Sequence, residues 1–253
     1  GTLAALGDRG VRVLEALAQE LRLASPSLPW HTERDRIADV ATGLGIVASG
    51  MGKVGTDLAL LAQTEIGEAA VASTGGGSST MPHKHNPVEA AAAIASAHLA
   101  IGLVPVVLSA GIQEHERAVG GWQTEAHAIA DVFIFTGTAV EWVSRALEGL
   151  QIDADRMRRN LDLTGGLIMA ESLTMALAST LGRTEAYRIV QRLSDQSTQT
   201  KISLRELASS DEQVRTVLSP DGVAKVFDVA AYAGSTEALI DRALADYRAL
   251  GKE

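Results

Sequence analysis

The chain reads as an all-α protein, a bundle of long helices followed by a smaller helical domain, and three observations point there. Apolar residues recur three and four positions apart over unusually long stretches. No period-two alternation persists far enough to propose a sheet. Aromatic residues make up only 4% of a chain that is 46% hydrophobic, so alanine and leucine dominate, as closely packed helices require. The boundary falls at Gly149-Leu150-Gln151-Ile152, giving a bundle domain over 1–150 and a smaller helical domain over 151–253.

The first helical stretch runs from Leu3 to Leu23, with Val11, Leu14, Leu17, Ala18 and Leu21 at helical spacing. Ser25-Pro26-Ser27-Leu28-Pro29 ends it. The segment Trp30-His31-Thr32-Glu33-Arg34-Asp35-Arg36 follows. Two arginines flanking an aspartate at a helix start suit a salt-bridged or solvated turn as well as they suit a substrate contact. The next helix carries Ile37, Val40, Leu44, Val47, Met51, Val54, Leu58 and Leu61 as a sustained seam that calls for partner helices at a shallow angle. Its Gly50-Met51-Gly52-Lys53-Val54-Gly55 matches a dinucleotide-binding fingerprint by letter. The match is rejected, because that fingerprint needs a preceding strand.

Thr74 to Glu89 is a glycine-rich, proline-punctuated loop between two helices, dense in hydroxyls and cations. Pro87 suits the first position of a helix, Asn86 its cap and Glu89 a capping box. Free N–H groups and the positive end of the helix dipole, with Lys84 beside them, make a receptor for a carboxylate or phosphate. Gly75 to Gly77 leave Ser78 and Ser79 free to be carried toward that anion.

The helix from Pro87 bears Ile94, Ala97, Ile101, Val104 and Leu108, with Pro105 as a kink, and ends near Gly111. Gln113-Glu114-His115-Glu116-Arg117 then forms a polar cluster that fits a solvated helix start or a ligand contact equally well. A third long helix spans about Thr124 to Leu150, with Ile129, Phe133, Val140, Val143, Leu147 and Leu150 on one stripe. Three such seams predict self-association. Shorter helices are expected at about 153–160, 167–181, 183–195, 203–208 and 235–250, with Asp153, Thr184 and Ser235 as caps.

Composition excludes several classes. A net charge of -9 and a pI near 5.2 argue against a nucleic-acid binder, which needs surplus Lys and Arg. The absence of cysteine removes disulfides and thiolate metal sites and is compatible with the cytosol. Neither a signal peptide nor an apolar run of bilayer length is read, so a soluble protein without a membrane partner is expected.

Gly77-Ser78-Ser79-Thr80-Met81-Pro82-His83-Lys84-His85-Asn86-Pro87 closely resembles the signature of the fumarase/aspartase superfamily, G-S-S-x-M-P-x-K-x-N-P. Within it, Pro29 to Arg36, Gln113 to Arg117 with Trp122, and Met157-Arg158-Arg159-Asn160-Leu161-Asp162-Leu163-Thr164 resemble the 3-carboxy-cis,cis-muconate cycloisomerase branch. The adenylosuccinate lyase branch, which shares the loop and the Arg-Asp-Arg element, is the rival. The resemblance implies a cytoplasmic homotetramer built on a long bundle, with each site shared between subunits. It further implies a polycarboxylate substrate, an aci-carboxylate intermediate, and no metal or organic cofactor. Ser78 matches the catalytic serine, Lys84 and Asn86 the carboxylate clamp, and Arg117 a substrate-binding arginine. Ser79, His31 and Trp30 are expected to line the pocket. For His83, His85 and His115 a structural role stands beside a chemical one. His85 stands where relatives carry arginine, which would make the loop's charge depend on pH. The superfamily's upstream histidine segments are absent. Because the chain begins at Gly1 inside a helical stretch, it is expected to be part of a longer enzyme, and inactive or nearly so by itself. A homologue that keeps the bundle without catalysis is the alternative of another class, against which the intact Ser78, Lys84 and Asn86 count.

Overall fold

The computed structural model describes residues 2–28, 30–71, 81, 86–116 and 118–250. It is all-α, in two compact units, Gly1–Asp153 and Ala154–Glu253.

In the first unit the opening stretch is not one helix. A 3-10 turn, Ala4–Arg9, precedes α1, Gly10–Leu21, because Gly7 leaves helical geometry at φ 51°. The unit is dominated by three long helices: α2, Asp35–Leu61, α3, Val88–Ala110, and α4, Gly121–Glu148. They pack antiparallel in layers. Ala41 of α2 meets Val107 of α3 and Ala128 and Val132 of α4 at one end. Ala48, Ala97, Ala100 and Ala139 fill the middle, and Leu58, Ala90 and Ala146 the other end. These small residues let the helices approach closely. At Gly55 an added Cβ would lie 3.0 Å from the Ala90 carbonyl oxygen and 3.2 Å from Ile94 Cγ1.

The inward face coincides only in part with the seam read from the large residues: Ile37, Leu44, Met51, Val54, Leu58, Ile129 and Val143 do line the core. Val40 and Val47 of α2, Ile101 and Leu108 of α3, and Phe133, Val140 and Leu147 of α4 are exposed in the single chain, while an alanine or valine one position away holds the core. Large side chains set the periodic signal, but close backbone approach selects small ones.

Several local expectations also change. Helix α3 begins at Val88 with Pro87 as its cap residue. Pro87 has ψ 71°, outside helical range, and takes the cap position expected for Asn86, so Glu89 no longer stands at the third helical position that a capping box requires. Glu89 is instead buried, its Oε2 without a hydrogen-bond partner among the described residues. Pro105 sits inside α3, which runs on as one helix. Two three-residue strands, β1, Ala69–Val71, and β2, Leu150–Ile152, pair antiparallel with Ala70 opposite Gln151, too short to show alternation. Helices α2 and α3 are each long and apolar enough, by length and composition, to cross a bilayer. The expected absence of such a run thus fails, since a helix rich in Ala and Gly reaches that length despite isolated charges.

The second unit has α5, Ala154–Leu161, α6, Ala170–Leu181, α7, Arg183–Thr200, α8, Leu204–Ser210, α9, Glu212–Arg215, α10, Pro220–Val226, and α11, Thr236–Leu250. Its core is Leu173, Leu177, Ile189, Val190, Leu193, Leu204, Val214 and Val223. Thr184 does not cap α7, because the helix already begins at Arg183 after Gly182. Ser203, Asp211 and Ser219 cap α8, α9 and α10 through their side chains, and α9 and α10 were too short to carry a periodic signal.

Candidate active site

Two of the polar clusters picked out in the sequence meet at one end of the first unit. The strap Trp30–Arg36 leads into α2, and the corner Gly111–Gly120 joins α3 to α4; antiparallel packing sets them side by side. One tie joins the strap to the corner and two join it to the first turns of α4. Thr32 Oγ1 donates to the His115 carbonyl at 2.8 Å, and His115 takes a left-handed φ of 47°. The His31 ring lies 6.5 Å from Trp122, centroid to centroid, tilted by 42°. Arg34 grips Glu125 with two bonds, Nε to Oε2 at 2.7 Å and Nη2 to Oε1.

The strap is also held from within. Arg34 Nη1 donates to the Trp30 carbonyl at 3.0 Å. The Arg36 guanidinium lies 4.0 Å over the Trp30 ring, within cation–π range. Arg34 is therefore the salt-bridged member of the two arginines. The Glu125 bond, opposed by burial and aided by the charge of Glu125, raises its already high pKa, so it is a permanent cation.

The corner is compact and polar. Gly120 requires its φ of 88°, and Gln123 Oε1 accepts from its N–H at 3.1 Å. A Cβ on Gly121 would come within 2.8 Å of the Ala110 carbonyl oxygen. Gln113 Nε2 donates to that same carbonyl at 2.9 Å, while its buried Oε1 has no partner among the described residues. The Val119 N–H, helped by the backbone N–H of Glu114 itself and by His115, holds the Glu114 carboxyl below its usual range against a small opposing burial effect. Trp30, His31, His115 and Trp122 remain exposed, so this end presents aromatic faces and cations, features that suit a planar, anionic ligand.

Asn86 lies at the opposite end, exposed just before α3 and beside the Leu58–Ala90–Ala146 layer. The 23 residues of α3 separate it from the corner by about 35 Å at 1.5 Å per residue. Trp30 and His31 thus come together, and Asn86 does not join them within one chain. Ser78, Ser79, Lys84 and Arg117, with His83 and His85, lie outside the described residues.

Glu125 went unmarked in the sequence. Its signal was a carboxylate on the inward face of α4, in line with Ala128, Val132, Thr136, Ala139, Val143 and Ala146. A groove of about 710 Å³ in the second unit, lined by Glu171, Met175, Arg183, Tyr187 and Gln191 among others, contains none of the marked residues.

A family profile described as "Lyase" matches residues 4–102, and one described as "Adenylosuccinate lyase C-terminus" matches 166–243. A 3-carboxy-cis,cis-muconate cycloisomerase of Bradyrhizobium diazoefficiens is 46% identical over 246 residues, 96% of this chain and 54% of that protein. The chain belongs to the fumarase/aspartase superfamily. A second relative of the same name in that superfamily, from Pseudomonas aeruginosa, is 45% identical over 255 residues, 100% of this chain and 56% of that one. Among solved structures, the 3-carboxy-cis,cis-muconate lactonizing enzyme of Pseudomonas putida superposes with a TM-score of 0.88 at 40% identity, covering 98% of this chain and 55% of that one. The chain thus spans about half the length of the superfamily relatives it matches. The strap falls inside the first matched region, whereas the corner and Glu125 lie in the stretch between the two.

Proposed function

We propose that this chain forms the bundle and C-terminal part of a cycloisomerase that converts 3-carboxy-cis,cis-muconate to 4-carboxymuconolactone. The observation that carries this reading is the bond from Thr32 to His115, which joins Trp30-His31-Thr32 to the Gln113–Arg117 segment, the two elements that favour this branch over adenylosuccinate lyase.

In this reading one substrate carboxylate attacks the far carbon of a double bond. A C–O bond forms and the displaced π electrons move into the adjoining carboxylate as an aci-carboxylate. Ser78 then gives its hydroxyl proton to the adjacent carbon and recovers one from solvent. Lys84 and Asn86 hold the carboxylate whose charge grows, where fixed donors act most strongly. Arg117 takes a second carboxylate with its two-pronged guanidinium, and Ser79, His31 and Trp30 wall the pocket. No cofactor takes part.

The distance along α3 gives this site its form. Asn86 and the strap lie about 35 Å apart in one chain, so a shared site needs the loop of one subunit against the strap of another. The outward-facing Val40, Val47, Phe133, Ile134 and Val140 supply an apolar surface for that association. We place the enzyme in the cytoplasm as a homotetramer. Adenylosuccinate cleavage is the second reading, favoured by the match over 166–243.

The test offers the full-length protein 3-carboxy-cis,cis-muconate and, separately, adenylosuccinate, following ultraviolet absorbance. Turnover of the first is expected, and turnover of the second alone would reject the reading. Ser78→Ala should lose about 10²–10⁴-fold in kcat, the usual range for an acid–base group, while staying oligomeric; full activity would remove Ser78 from its role.

A further inference from the structure

Glu125 is only 4% exposed and sits on the inward face of α4, where every other position is small or apolar. A lone carboxylate there would be costly, and its partner resolves the cost. Arg34 meets both carboxylate oxygens in the fork geometry that fixes direction as well as distance. The third nitrogen of the same guanidinium holds the Trp30 carbonyl. A rigid path therefore runs from the core of α4, through Glu125 and Arg34, to the backbone of Trp30. The Trp30 ring is covered on one face by Arg36, and the neighbouring His31 faces Trp122, one helical turn before Glu125.

We infer that Glu125 is a positioning residue for the substrate site: through Arg34 it sets where Trp30 and His31 stand. This rests on the proposed function for the claim that the strap walls that site. A corollary follows for specificity. Because Arg34 is neutralised by Glu125, the strap itself offers a substrate carboxylate only Arg36 and His31, and the broad faces of Trp30 and Trp122 select a flat carbon skeleton.

A buried ion pair can commonly be replaced by apolar residues of similar volume without loss of stability, whereas removing one partner is damaging. That difference separates positioning from mere support. In the full-length protein, Glu125→Gln and the double variant Arg34→Met with Glu125→Leu would be compared with wild type. The readouts are thermal unfolding, hydrogen–deuterium exchange of the peptide over 30–38, and kcat and KM separately. The double variant is expected to melt within a few degrees of wild type, yet to show at least tenfold faster exchange over the strap and at least tenfold higher KM. Glu125→Gln should move exchange and KM in the same direction. If the double variant restores wild-type KM, or leaves strap exchange unchanged, Glu125 is only a packing element and the inference falls. A wild-type protein that fails to lactonise the muconate defeats the proposed function instead. The exchange arm then still reports whether Glu125 holds the strap.

Discussion

The two units build their cores from side chains of different size. The second builds its core from large side chains, Leu173, Leu177, Ile189, Leu193, Leu204 and Val214 all being buried, and α8 to α10 are closed by side-chain caps, while its last helix, α11, leaves Leu239, Ile240, Leu244 and Tyr247 exposed. The first puts alanine and glycine between its helices and leaves Phe133 53% and Ile134 59% exposed. Long helices that leave Phe133, Ile134, Val40 and Val47 outside hold apolar surface whose burial must await another surface. The second unit's core is closed by large residues and the first unit's by small ones, and the same first unit holds its marked residues at both ends.

The strongest way to break that contrast is a charge on the outward face. Phe133→Asp places a carboxylate where the proposed association buries a ring, so sedimentation should show dissociation to smaller species. Turnover should fall more than about 100-fold, since an unpaired charge in an interface core costs several kcal/mol. An oligomer that survives with full activity would mean that this face is not the interface. The complementary change, Leu193→Ala, opens a cavity in the closed core of the second unit. It should cost about 2–5 kcal/mol of that unit's stability, visible as an earlier unfolding step, with the oligomer intact.

The contrast also explains what was legible in the sequence. Helices of 23 to 28 residues are visible because their period repeats six or more times, and the superfamily signature at Gly77–Pro87 is visible as a string. Which face points inward was legible only in part: Leu44, Met51 and Leu58 do face the core, but Val40 and Val47 outweigh Ala41 and Ala48 in any hydrophobic pattern while the packing distance favours the alanines. The strap and the corner could be seen as polar clusters at helix ends, but their union could not. It depends on the antiparallel turn of α3 and on Glu125, one carboxylate within an otherwise apolar stripe. The caps at Asn86 and Thr184 were misplaced by a residue or two. Such boundaries turn on a single ψ angle, as at Pro87, which residue preference cannot fix.

The smallest effect lies at the edge of the second unit's core. Asp211 caps α9 through Oδ1, which accepts from the Val214 N–H at 3.0 Å, and its Oδ2 accepts from Arg192 at 2.7 Å. Burial alone would push its carboxyl up, but Arg192 and the N–H groups of Val214 and Gln213 outweigh that and hold it below its ordinary value. A depressed folded pKa means that the unfolded chain binds the proton more readily. The stabilisation is then complete above the unfolded pKa of about 4 and disappears as pH falls through the lower folded value. Asp211→Asn keeps an oxygen for the cap and removes the charge. It should lower stability by up to about 1 kcal/mol at pH 7, the range for a partly exposed pair, and the difference from wild type should shrink progressively as the pH is taken below the unfolded value. Asp211→Ala loses the cap as well, about 1 kcal/mol more, and that part should persist at low pH. Urea titrations of both variants at several pH values separate the two contributions, and a pH-independent deficit in the asparagine variant would show that the carboxylate's charge does not matter. Neither change should alter the oligomer, because the second unit's stability is set inside its own core and caps.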